Sequence, residues 1–189
     1  AGGVRGLSRP AHAPDDVETR RRAAAVQREL GDGAGALTAM CTAAALEPTS
    51  PAALDHLARL YEEQGDAASA LSVLAQATEL APDVVDYRVR LARLAMLLGQ
   101  PNVAVSHLER AAALAPDDGA AQLQLARALR AVGDDERALG VLRRVARTAP
   151  DDAALQADLA DAACALGRLN EAREAIGRAL GAAPDAADL

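Results

Sequence analysis

The chain repeats its helix-breaking residues every 34 positions. Glycine and proline each interrupt helices, so a fixed spacing between them fixes where helices can begin and end. Alanines keep the same period, five residues after each glycine and seven residues before it. A period of this size predicts a solenoid, in which copies of one unit stack on each other. The prolines of the series are Pro48, Pro82, Pro116, Pro150 and Pro184, and the glycines are Gly31, Gly65, Gly99, Gly133 and Gly167.

The segment 51–84 shows what one unit contains. Its apolar residues recur at a spacing of three and four on both sides of Gly65, which predicts two amphipathic helices. Gly65 can end the first helix in a left-handed conformation, Asp66 can cap the second helix, and Pro82 stops it. Each unit is therefore predicted to be two antiparallel helices joined by a tight turn. The alanine columns predict that these helices cross closely.

These features resemble the tetratricopeptide repeat (TPR) family. The resemblance implies an all-α, right-handed superhelical solenoid of five helix-turn-helix repeats, from about Val17 to Ala186. One departure is that the aromatic residues common in the first helix of the family are absent except for Tyr61, which predicts Ala- and Leu-rich cores. The residues that carry the resemblance are Leu57-Ala58, Tyr61, Gly65-Asp66, Ala70, Leu74, Ala77 and Pro82. The repeats fall at 17–50, 51–84, 85–118, 119–152 and 153–186.

Both ends of the chain are interpreted separately from the repeats. Residues 1–16 are rich in Gly and Pro and are predicted to be a flexible N-terminal segment. Residues 187–189 form a short C-terminal tail. The chain begins at Ala1, without an initiator Met or a signal-peptide pattern, and we interpret it as a piece of a longer protein.

The first repeat is more polar than those that follow it. Its arginine run, Arg20 to Arg22, is interpreted as a solvated face of a capping unit. The alternative is that this run is a docking patch for an acidic partner.

Composition argues against several classes of function. Aromatic residues make up 1% of the chain and the net charge is −7, which disfavours nucleic-acid binding. No apolar run is long enough to span a membrane. The histidines are scattered, the repeated glycines are explained as helix turns, and no phosphate loop, metal-ligand cluster or nucleophile motif is present. We therefore predict a non-catalytic protein without cofactor or metal.

The basic residues and the thiols suggest the source of the gene and the cellular compartment of the protein. All 20 basic residues are Arg, and together with the Ala, Leu, Asp and Gly bias this suggests a bacterial gene of high G+C content. Cys41 and Cys164 lie in the first and fifth repeats, too far apart in a solenoid for a disulfide. Free thiols favour a reducing compartment, and we predict a cytoplasmic protein.

Arginines recur six residues before the turn glycines of the three central repeats, at Arg59, Arg93 and Arg127. In the TPR family this face of the first helix lines the concave groove, so the resemblance implies an arginine ladder there. Arg130 follows on the same side of its helix, and Met96 and Leu97 would add an apolar patch. The hypothesis is that these six residues bind an acidic peptide or protein segment. The alternative is that each arginine pairs with a local acid or lies in solvent.

Other TPR functions remain open or are disfavoured. The pattern with which chaperone adaptors clamp a C-terminal carboxylate is absent, because its Asn positions hold Ala25 and His56. The favoured function is a protein-interaction scaffold. One alternative is an accessory domain that recruits substrates to a larger enzyme. Another is self-assembly as a homo-oligomer through an apolar face of the fifth repeat, which presents Leu169, Ile176 and Leu180.

Overall fold

The computed structural model describes residues 17–182, and this part of the chain contains ten helices and no strand. The predictions for residues 1–16 and 187–189, and the end of the fifth predicted repeat, lie outside the described residues. The helices are α1 (Val17–Glu29), α2 (Gly33–Leu46), α3 (Pro51–Glu63), α4 (Ala67–Leu80), α5 (Val85–Leu97), α6 (Pro101–Leu114), α7 (Gly119–Ala131), α8 (Asp135–Ala146), α9 (Ala153–Ala165) and α10 (Leu169–Ala182).

The predicted turn between the helices of a pair is confirmed. Gly65 has a φ of 78°, in the left-handed region that costs glycine little. The next amide N–H, from Asp66, donates to the carbonyl of Tyr61 at 2.9 Å, and the Gly65 N–H donates to Glu62 at 3.0 Å. This is a Schellman turn, and the four equivalent glycines also have positive φ. The turn reverses the chain so that the second helix of each pair packs back on the first.

Acidic and hydroxyl side chains start most of the helices, as the sequence predicts. The Asp66 carboxylate accepts the Ser69 N–H at 3.0 Å, and the Ser50 hydroxyl accepts the Ala53 N–H at 3.4 Å. Asp118 and Asp152 cap α7 and α9 in the same way. The helices α5 and α6 differ, because neither Val84 nor Gln100 makes a side-chain bond to the first turn.

The helix crossings are built on small residues. Both periodic alanine columns are buried in every repeat, from Ala24 to Ala160 in the first helices and from Ala36 to Ala172 in the second. Leucines such as Leu108, Leu142 and Leu155 fill the space around these crossings. The prediction of Ala- and Leu-rich cores is therefore confirmed.

Two buried glutamines tie the loops between repeats to the first helices. The side-chain amide of Gln156 donates to the carbonyl of Pro150 at 2.9 Å, and Gln122 makes the equivalent bond to Pro116. Both glutamines are at least nine-tenths buried. Because an unpaired buried carbonyl is costly, these bonds stabilise the entry of the chain into α9 and α7. This role of the two glutamines was not predicted from the sequence.

The chain divides into two compact units at Pro82 and Asp83. In the first unit α1 packs on α2, α2 on α3 and α3 on α4. In the second unit the same order of contacts runs from α5 to α10. Packing of consecutive antiparallel helices, without strands in the described residues, confirms an all-α helical-repeat fold.

Candidate functional site

A cavity of about 520 Å³ lies between α1 and α3 in the first unit. Four arginines line it, against only two carboxylates, those of Glu18 and Asp55. Met40, Leu60 and small residues of α1 form its apolar part. Because a guanidinium group can bind a carboxylate through two hydrogen bonds, this lining suits an anionic ligand that exchanges with the protein's own carboxylates. The four arginines are Arg21, Arg22, Arg28 and Arg59.

Carboxylates of the protein contact each of these arginines. Arg22 pairs with Glu18 at 3.0 Å and Arg28 with Glu63 at 3.5 Å, and in both pairs the two side chains are about half exposed or more. Exposed pairs of this kind contribute about 0–1 kcal/mol each, so a ligand carboxylate can replace the protein's own at little cost.

For each of the other two arginines, one side chain of the ion pair is largely or partly buried. Arg59 pairs with Asp55 of its own helix at 3.2 Å, and this carboxylate is largely buried. Arg21 contacts Glu47 at 3.3 Å and the Ser50 hydroxyl at 3.5 Å. These contacts hold the two guanidinium groups at the cavity wall.

The interpretation of Arg20 to Arg22 as a solvated run is wrong for two of its members. Arg22 is exposed, but Arg20 and Arg21 are partly buried, and the Nε atom of each is enclosed. The reason is that consecutive helical residues point in different directions, about 100° apart, so a run of three cannot share one face. The run therefore contributes Arg21 and Arg22 to the cavity.

In the second unit two of the predicted arginines pair with acids of the next repeat. Arg127 contacts Asp158 through two nitrogens, at 2.8 and 2.7 Å. Arg130 lies 3.5 Å from Asp161, 3.7 Å from Asp135 and 4.0 Å from Asp158. Two positive charges are thus surrounded by three negative ones. For these two arginines the pairing agrees with the alternative to the ladder hypothesis, in which each arginine pairs with a nearby acid.

The remaining predicted groove residues lie on α5. Arg93 is exposed, Met96 is partly buried, and Leu97 is 74% exposed at the end of the helix. Arg59 belongs to the first unit and these residues to the second. Whether the six residues bind a ligand remains a prediction.

Three neighbours of Arg59 in the cavity were not predicted from the sequence, namely Arg28, Asp55 and His56. A signal for Arg28 was present, because it has the same register as Arg130, three residues before a turn glycine. Asp55 carried no such signal, since its register holds unrelated residues in the other repeats.

The predicted assembly face on α10 is exposed in the structure. Leu169 is 70% exposed, Ile176 46% and Leu180 55%, and they share one side of the helix. A smaller cavity, about 270 Å³, lies between α8 and α10 on another side and is lined by Arg143, Arg147, Glu171, Glu174 and Arg178 among others.

Ion pairing and burial lower the pKa values of a carboxyl group and an imidazole group in the second unit. Hydrogen bonds from Arg143, both at 2.6 Å, lower the pKa of the Glu171 carboxyl below its usual value. Burial, aided by the charge of Arg88, lowers the pKa of His107. His107 therefore favours the neutral form, and neither group lies in the arginine cavity.

Among residues 17–182 we find no group of three or more His, Cys, Asp or Glu side chains placed to hold a metal ion. Within the same residues, no helix combines the length and the apolar character needed to cross a bilayer. Cys41 and Cys164 are both free thiols.

Comparison with known families decides the class of the fold. A model of the tetratricopeptide repeat matches residues 95–157 and 136–189, and a second model of this repeat matches residues 51–94. The chain belongs to the tetratricopeptide repeat family. No curated protein sequence matches it. The glycine turns and alanine crossings described above are thus those of TPR units.

Solved TPR structures share this fold at low sequence identity. The crystal structure of MamA is 19% identical with a TM-score of 0.82, covering 93% of this chain and 96% of that chain. YrrB, described as a TPR protein with an unusual peptide-binding site, is 20% identical with a TM-score of 0.80, covering 91% and 89%. A putative kinesin light chain with TPR-like repeats from Podosopora anserina is 23% identical with a TM-score of 0.68, covering 90% and 96%.

Proposed function

We propose that this chain is a non-catalytic protein-interaction module that binds an acidic segment of a partner protein. The observation that carries the proposal is the arginine-lined cavity between α1 and α3. Its volume of about 520 Å³ suits a few side chains of a peptide, within the usual range of binding pockets. YrrB, a structural neighbour, is described as having a peptide-binding site, which is consistent with this use of the fold.

The hydrogen-bonding geometry of arginine is the reason for proposing a carboxylate-bearing ligand. Its planar guanidinium group can make two parallel hydrogen bonds to one carboxylate, and each bond to a charged group contributes about 1.5–3 kcal/mol. Arg22 and Arg28 are the residues best placed for exchange, because their present partners are exposed. Arg21 and Arg59, held by Glu47 and Asp55, would form the wall of the cavity behind them.

In the second unit we propose that Arg93, Met96 and Leu97 also contribute to the binding of acidic segments. Arg93 and Leu97 are exposed, and Met96 is partly buried. Arg127 and Arg130 contribute less in this proposal, because a ligand must first displace Asp158 and Asp161.

The proposal is tested with a fluorescein-labelled hexaglutamate peptide, followed by fluorescence anisotropy. We expect the Arg22→Ala/Arg28→Ala variant to lose at least about tenfold in affinity, which corresponds to one charge-assisted hydrogen bond. The pair Arg93→Ala/Arg127→Ala should cause a smaller loss, since Arg127 makes two contacts to Asp158, a carboxylate that is only 18% exposed and harder to displace.

A charge-matched control separates site binding from general attraction. Arg110 and Arg178 are exposed and lie outside the arginine cavity. Their double replacement by alanine removes the same charge and should change affinity by less than about twofold, as expected for screened surface charges. Equal losses in both double variants, or no binding of hexaglutamate by the unmodified chain, would overturn the proposed function.

A further inference from the structure

The exposed side of α10 has a counterpart inside the fold. Ile176 has the same register as Met40, Leu108 and Leu142, nine residues after a turn glycine. Those three residues are at most 2% exposed, whereas Ile176 is 46% exposed. Each of the three lies on a second helix against which the next first helix packs, in the pairs α2·α3, α6·α7 and α8·α9. Among the described helices, the principal packing partner of α10 is α9.

The first helix carries the other half of the same interface. Val26 has the register of Leu60, Ala128 and Ala162, five residues before a turn glycine. The latter three are at most 7% exposed, while Val26 is 54% exposed. They lie on first helices that pack against a preceding second helix, whereas the principal described partner of α1 is α2.

Two apolar stripes result, one on each of these helices. The head stripe consists of Ala23, Val26 and Leu30, with Leu30 directly after the end of α1. The tail stripe consists of Leu169, Ile176 and Leu180 on α10. Positions three, four or seven residues apart share a side of a helix, so each stripe is continuous. None of the head-stripe residues lines the arginine cavity, which uses a neighbouring side of α1.

We infer that the tail stripe of one copy binds the head stripe of a second copy, in a head-to-tail self-association. The contact continues the packing seen between α8 and α9, with α10 in the place of α8 and α1 of the second copy in the place of α9. Ile176 on α10 and Val26 on α1 therefore have the registers of the two sides of a contact that the fold itself uses.

The charge at the centre of the tail stripe selects the head stripe over a second tail stripe. Arg173 is exposed and lies four residues after Leu169 and three before Ile176, on the same side of the helix. Pairing two copies tail to tail would place two Arg173 side chains in one apolar contact, which is unfavourable. The matching side of α1 offers Thr19, Ala23 and Val26, without a charge.

The association is expected to be weak and open-ended. Ala23 has the same register as Leu57 and Leu159, which are buried inside the fold. Because alanine is smaller than leucine, the head stripe buries less apolar surface than its internal counterparts. A head-to-tail contact between different surfaces adds further copies unless the rotation closes a ring. The mass should therefore rise steadily with concentration.

Light scattering on the full chain, with Val26→Glu and Ile176→Glu variants, tests the inference without any peptide. The unmodified chain should show a mass above 19.3 kDa that grows with concentration, and each variant alone should stay at 19.3 kDa. An equimolar mixture of the variants should form a species of twice that mass and no larger. The reason is that the Val26→Glu copy keeps an intact tail stripe and the Ile176→Glu copy keeps an intact head stripe.

Two controls make the outcome decisive. Val103 is an exposed apolar residue of α6 outside both stripes, and Val103→Glu should leave the concentration dependence unchanged. Circular dichroism should show full helix content in every variant, since all the replaced side chains are substantially exposed.

An unmodified chain that stays monomeric at all concentrations would overturn the inference. A Val26→Glu variant that still dimerises, with no new species in the mixture, would show tail-to-tail pairing instead.

Discussion

Gly133 shows how one residue controls a whole helix pair. Its φ of 81° lies in the left-handed region, which costs residues with a side chain about 1–2 kcal/mol. We therefore predict that Gly133→Ala lowers the free energy of unfolding by about 1–2 kcal/mol, measured by urea denaturation followed by circular dichroism.

Gly140, seven residues later, provides the matched control. It lies within α8 with ordinary helical φ, and a Cβ placed there meets no atom within 4 Å. Gly140→Ala should raise stability by about 0.5–1 kcal/mol, because alanine loses less backbone entropy in a helix. Equal effects of the same sign at the two positions would contradict the turn argument.

Some contacts of individual residues could not be predicted from the sequence. The register of Arg127 was readable from the period, but its partner, Asp158, is 31 positions away on the next first helix. Nothing in the pattern of α7 alone predicts this bond, since it depends on the side chains of two helices at once. The same holds for the cavity between α1 and α3, which needs both helices in place.

At the level of helices, α5 begins without the side-chain cap that α3, α7 and α9 have. Val84 occupies the cap position with extended backbone, where Ser50, Asp118 and Asp152 stand in the other repeats. We predict that Val84→Asp stabilises the chain by about 1 kcal/mol, because the carboxylate can accept a first-turn N–H and interact with the helix dipole.

Asp118→Ala is the reciprocal change and should cost about 1 kcal/mol, since it leaves the Ala121 N–H without its acceptor. Chemical denaturation of the two variants gives both values. A destabilised Val84→Asp variant would mean that the Val84 side chain contributes more by packing than a cap does.

Most of the helices were predictable, because the residues that begin and end them act locally. Left-handed glycines, capping acids and prolines act within a few residues of sequence, so the turns at Gly65 and Gly133 follow from local chemistry. Gln122 and Gln156 were not assigned a role, because their bonds to Pro116 and Pro150 join a helix to the loop before it. A polar residue at a buried register is the signal that would have identified them.

For the whole molecule, the two proposed surfaces should respond to salt in opposite ways. Hexaglutamate binding rests on charge, and the screening length falls from about 10 Å at 0.1 M salt to about 3 Å at 1 M. Head-to-tail association rests on apolar stripes, which added salt weakens little or, for sulfate, strengthens. We predict that raising ionic strength lowers peptide affinity while the average mass stays constant or increases.

Anisotropy and light scattering on the same samples check this prediction. A parallel fall of affinity and mass would indicate that a single charged surface serves both activities, contrary to the separation of the head stripe from the cavity. Val103→Glu serves again as the control for added surface charge.

The division at Pro82 and Asp83 is a property of the whole chain that the period did not predict, because the 34-residue pattern runs through it unchanged. It has a spectroscopic consequence. The chain contains no Trp and two Tyr, with Tyr61 in the first unit and Tyr87 in the second. Each unit thus has its own natural fluorophore, and the Cys41 sulfur 3.8 Å from the Tyr61 hydroxyl gives the first a nearby quencher in the folded state. Replacing either tyrosine by phenylalanine leaves an emission signal that follows the melting of one unit alone.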